Sequence, residues 1–101
     1  MKYRLVLQWP ASSIEDYDAM IEIEDLLIAS LLNSNVDGHD AGSDEVNIFI
    51  ETDDPLQAFD QVRSALDSHC MWSDIRAAYR NVEGSTYTVL WPKGLHNFRV
   101  R

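Results

Sequence analysis

From Leu5 to Val62 the sequence contains no lysine and no arginine, yet that block holds fourteen aspartates and glutamates. The eight basic residues all lie in residues 1–4 and 63–101, beside three acids, so the middle carries −14, the ends +5 and the whole −9. Segregation on this scale sets up a surface potential that selects partners and speeds encounter with a basic one. It disfavours nucleic acid, whose phosphates the chain as a whole repels.

Cysteine is equally scarce. Cys70 stands alone, which excludes an internal disulfide and favours a reducing compartment. No apolar run approaches a membrane-spanning length, and Met1–Pro10 is too interrupted for the core of a signal peptide. An apolar fraction of 46% supports one core without metal or disulfide staples. The expectation is a single domain over residues 1–101, cytoplasmic, with no membrane contact.

Apolar periodicity supplies the elements. Tyr3, Leu5, Leu7 and Trp9 alternate with Arg4, Val6 and Gln8, a strand closed by Pro10. Ser12 and Glu15 form a capping box, with Ser13 a rival cap, before a helix over about 13–32 marked by Ile14, Tyr17, Met20, Ile21, Leu27, Ile28 and Leu31. Val36–Gly42, with Gly38 and Gly42, reads as a bulged strand, and Gly42-Ser43-Asp44 as a hairpin turn. Val46–Glu51 is a strand with Val46, Ile48 and Ile50 inward. Asp54, Pro55 and Gln57 then cap a second helix, striped by Phe59, Val62, Ala65 and Leu66 and ending near His69. Ile75–Arg80 alternates with Arg76, Ala78 and Arg80 on one face, and Tyr87–Trp91 is a further strand before Pro92. A short strand at Asn97–Val100 completes the tail.

The order βαββαββ places two helices on one face of an antiparallel sheet, an α+β class with ferredoxin-like βαββαβ topology and an additional C-terminal strand. The first strand then lies beside the fourth. Arg4, Phe49, Arg76 and Arg80 share the face that the helices leave open, with Lys2 nearby. Four cations together call for a bound anion, a homodimer partner or the chain's own Glu51.

Three features could carry chemistry. Glu15, Asp18, Glu22 and Asp25 recur at spacings of three, four and three, which lines them along one helix face with no base to answer them. They read as a solvated stripe or as half of a docking surface. Asp37-Gly38-His39-Asp40, followed by Asp44, places one imidazole among carboxylates, with Asp37 and His39 expected on the same side of the strand. Too few ligands converge for zinc and the spacing is not that of an EF-hand, so no metal site is read. His39 beside a carboxylate is half of a catalytic pair, but no nucleophile is identifiable. Its plain role is to bond backbone groups left open by a bulge. Cys70, behind His69 at a helix end, fits a small core residue better than a nucleophile. Gly38 and Gly42 do not open a helix, which rules out a phosphate loop. The glycine-aromatic motif of sheet-face RNA binders is missing as well. No catalytic residue, cofactor or metal is assigned.

The block Gly38-His39-Asp40-Ala41-Gly42-Ser43-Asp44-Glu45-Val46-Asn47-Ile48-Phe49-Ile50-Glu51-Thr52-Asp53-Asp54-Pro55, with Tyr87-Thr88-Val89-Leu90-Trp91-Pro92, resembles a set of small uncharacterised bacterial proteins. These share a GHD-x-G-S-x-E-x-N-I-F-I-x-T-D-D-P core. The resemblance implies a bacterial source and a one-domain unit of this length, and assigns no functional residue.

These readings converge on an acidic domain that binds a basic protein partner through Glu15, Asp18, Glu22, Asp25, Asp37, Asp40 and Asp44. By size and charge it fits an immunity-type, toxin-neutralising protein. The alternatives are a ligand-binding or oligomeric domain working through Arg4, Phe49, Arg76 and Arg80, and a small enzyme around His39 and Asp37.

Overall fold

A computed structural model describes residues 2–10, 14–42, 44–67, 75–94 and 98, with the backbone alone for 14–17. Its elements in chain order are β1 (Tyr3–Pro10), α1 (Ile14–Ser30), β2 (Ser34–Gly42), β3 (Glu45–Thr52), α2 (Pro55–Leu66), β4 (Arg76–Asn81) and β5 (Thr88–Trp91). Both helices end short of their expected limits. The Ser12–Glu15 capping box, Ser13, His69, Cys70 and the Asn97–Val100 strand fall wholly or partly outside the described residues.

The five strands form one antiparallel sheet in the order β2-β3-β1-β4-β5. β1 sits in the middle, beside β4 as expected. Its register sets Leu5 opposite Ile50 and Tyr79, and Leu7 opposite Ile48 and Ala77. Those side chains meet Met20, Ile23 and Leu27 of α1 and Ala58, Val62 and Leu66 of α2 in one core. Burial of that apolar stripe, repeated at strand period two and helix period 3.6, is the main stabilising term.

Local chemistry sets the junctions. The Asp54 side chain accepts a hydrogen bond from the Gln57 amide at 3.0 Å, and Pro55 occupies the first helical turn, where a missing N–H costs nothing. The Asp54 amide itself donates to Thr52 Oγ1 at 3.1 Å, so the β3–α2 junction is held from both sides. Between β2 and β3, Gly42 pairs with Glu45, and Asp44 adopts a left-handed φ of 64° that aspartate tolerates better than most residues.

The second face of the sheet departs from expectation. Val6 and Ala78 are fully buried there, and Gln8 and Asn47 retain 1% of their exposure, although neither described helix packs on them. Arg4 and Arg80 each set a guanidinium against an aromatic ring on this face. Phe49 stands opposite Val6, with the Arg4 guanidinium 5.3 Å from its ring centre. Tyr87 lies 6.0 Å from the Arg80 guanidinium and packs on Phe98 at 5.1 Å.

Candidate functional site

Strand pairing converts the charge pattern of the sequence into a spatial one. β2, β3 and α1, all from the block without bases, occupy one side of the sheet. β4 with Arg76 and Arg80 stands on the other, and α2 brings Arg63 over Trp91 of β5 at 5.3 Å. The β2 side is therefore acidic, while Arg63, Arg76 and Arg80 stand toward the β4–β5 side and Arg4 lies on the central strand.

A single extra residue organises the acidic side. Val36 pairs with Ile50 and Gly38 with Phe49, leaving Asp37 unmatched between them as a bulge. Gly38 takes φ +138°, a conformation that costs glycine little and other residues much. The bulge reverses the alternation beyond it. Asp37 turns to the face away from the helices and meets Arg4 Nη2 at 3.1 Å. His39, opposite Ile48, turns to the helix face, where its Nδ1 lies 2.9 Å from Glu24 Oε2. The expectation that Asp37 and His39 share a side is thus corrected: an inserted residue shifts the two-residue period by one. With their side chains on opposite faces they do not form a catalytic or metal-binding pair. His39 is also not limited to the backbone role expected of it, because its ring bridges β2 to α1.

The acids divide into two groups. Glu51 accepts from Arg4 Nε at 3.2 Å and Nη2 at 2.8 Å, Asp37 shares the same guanidinium, and Glu24 holds His39. Asp53 accepts from the Lys2 amide and Asp54 caps α2. By contrast Asp18, Glu22 and Asp25 on α1, Asp40 on β2 and Asp44 at the turn are exposed, and none has an ion pair or side-chain hydrogen bond among the described residues. The Glu15 side chain lies outside what is described. Of the seven acids named from the sequence, Asp37 is therefore committed internally and the five just named are available.

Arg4, Phe49, Arg76 and Arg80 do share one face, but two of the three cations are already satisfied. Arg4 pairs with Glu51 and Asp37, and Arg80 Nη1 donates to the carbonyls of Asn81, Val82 and Gly84, clamping the β4–β5 turn. Sequence reasoning counted one carboxylate on this face and missed Asp37, because it placed the bulge without placing the residue it expels. Arg76, half-buried beside Gln8 in the register, has no ion pair among the described residues.

A shallow groove between the helices is lined by Ser30, Asp60, Gln61, Ser64 and Ala65. Among the described residues no helix is long and apolar enough to cross a membrane. Comparison with protein families, with curated proteins and with solved structures finds no match to this chain.

Proposed function

We propose that this is a ferredoxin-like domain with an added C-terminal strand, whose acidic α1–β2 side docks a basic protein partner, in the manner of a toxin-neutralising protein. One observation carries the reading: Asp18, Glu22, Asp25, Asp40 and Asp44 lie exposed and unengaged while the neighbouring acids are consumed by the fold. Like charges three and four residues apart on a helix repel by a few tenths of a kcal/mol per pair. They oppose folding slightly and favour any partner that neutralises them. Strand order supports the topology, since β2-β3-β1-β4 is the arrangement expected of a βαββαβ sheet with β5 added beside β4.

The test is kinetic. Attraction between exposed charges is screened beyond a Debye length of about 10 Å at 0.1 M salt, so steered association slows as salt rises. A partner recovered by affinity capture should associate more slowly at high salt. It should also associate more slowly with the variant Asp18→Asn, Glu22→Gln, Asp25→Asn, whose fold is unchanged by circular dichroism. A rate indifferent to both changes would falsify the proposal.

A second reading rests on Arg76. Half-buried and without an ionic partner among the described residues, the Arg76 guanidinium can seat a small anion or a carboxylate of a second copy. Phosphate or sulfate should then raise the melting temperature of the wild type and not of Arg76→Ala. Equal shifts in both proteins would remove Arg76 from consideration.

A further inference from the structure

β2 ends the sheet on its acidic side, and among the described residues β3 is its one neighbour strand, so the outer edge of this nine-residue strand has no described strand beside it. Such an edge presents a row of backbone donors and acceptors and is a template for pairing. The opposite edge is a poor one: β5 has four residues, and Pro92 follows at once without an N–H to offer. Beyond its bulge, β2 is regular. Gly38 to Gly42 pair one-to-one with Phe49 to Glu45, and His39, Asp40 and Ala41 are exposed.

The helix beside this edge has the wall that an added strand needs. Glu24 faces β2, because it reaches His39. Ile21 and Ile28 stand three residues before and four after Glu24, which puts both on the same flank of α1. Ile28 is 60% exposed and Ile21 half-buried, so apolar surface is left beside the edge. Asp18, Glu22 and Asp25 occupy the next stripe outward.

Charge decides what can lie there. A second copy of β2 would set a strand carrying Asp37 and Asp40 and no lysine or arginine against its like, and like charges across a strand pair repel. A strand with basic side chains on the Asp37 and Asp40 face and apolar ones toward Ala41 and Ile21 meets no such penalty. We propose, building on the docking reading above, that the partner inserts an extended basic segment as a further strand along Gly38–Gly42. The acids on this edge then act as a filter, rejecting a second copy while admitting a cationic strand.

A synthetic peptide of alternating Lys and Val tests this, compared with two versions N-methylated at every Lys or at every Val. All three carry the same charge, but each methylated version blocks one edge of the strand. The parent should bind and slow amide exchange at residues 38–42. One methylated version should bind about tenfold or more weakly while the other keeps its affinity, because main-chain hydrogen bonds on one edge hold the strand. Three peptides of equal affinity would overturn strand addition and leave electrostatic docking intact. Failure of the parent to bind would overturn it too, with docking still judged separately by the salt dependence of a captured partner.

Discussion

His39 Nδ1 of the edge strand β2 lies 2.9 Å from Glu24 Oε2 of helix α1, the two side chains being 29% and 14% exposed. The contact fastens the outermost described strand to the helix layer, at a strand that has one neighbour strand among the described residues. The β3 ladder, the packing of Val36 and the Asp37–Arg4 ion pair also hold β2.

His39→Ala and Glu24→Gln should therefore be coupled. Each single substitution is expected to cost about 0.5–1.5 kcal/mol, the ordinary net contribution of such a bond, and the double substitution less than the sum. Urea denaturation of the four proteins measures the coupling. Strictly additive losses would mean that the two side chains do not depend on each other. Amide exchange on β2 should accelerate in the single variants more than exchange on β1, since an edge opens locally before the centre.

Arg4 answers Glu51 and Asp37 together, and its removal leaves two carboxylates facing each other with no cation between them. Arg4→Met, which keeps most of the stem over Phe49, should lower stability by about 1–3 kcal/mol. Glu51→Gln is expected to cost more than Asp37→Asn. The Glu51 side chain is 22% exposed against 48% for Asp37, and water compensates the more exposed partner better. The reverse ranking in chemical denaturation would contradict the assignment of Glu51 as the principal partner.

Gln8 Nε2 donates to Asn47 Oδ1 at 3.0 Å within a site where both residues are 1% exposed. Replacing Gln8 by Met strands a buried carbonyl and should cost about 1–3 kcal/mol, whereas pairing that change with Asn47→Leu should recover part of the loss. A double variant less stable than the worse single variant would show that the amides have further obligatory partners on this face.

Gly38 offers a case where space and conformation disagree. A Cβ built there meets no atom within 4 Å, so sterics with the surroundings forbid nothing. Its φ of +138° is the obstacle, because an L side chain in that region clashes with its own backbone. Gly38→Ala should cost about 1–3 kcal/mol and disturb the bulge, seen as shifted amide resonances for Asp37 and His39. An unchanged midpoint would mean that β2 reaches the same register without a glycine.

Much of the architecture was legible because the relevant signals are local. Period-two alternation in Tyr3–Trp9 and Val46–Glu51, helical spacing through Met20, Ile21 and Leu27, and the Asp54-Pro55-Gln57 start each act over a few residues, and each element formed there, although the stripe counted Ile28, which is 60% exposed, and passed over the buried Ile23. The acidic stripe Asp18, Glu22 and Asp25 was readable for the same reason, since helix geometry alone sets those side chains on one face. What the tertiary structure decided depends on counting across strands. The bulge at Asp37 could be suspected from Gly38, but which face Asp37 and His39 would take rests on the register with β3, and one residue of slip exchanges every side chain. The burial of Val6 and Gln8 likewise came from position. β1 lies at the centre of the sheet with a strand on each side, and no alternation within Tyr3–Pro10 records which strands those neighbours are. The fate of each charge was decided in the same way: the sequence set fourteen acids apart from the bases, and pairing across strands determined that Glu51 and Asp37 would be spent on Arg4 while Asp18, Glu22, Asp25, Asp40 and Asp44 stayed free.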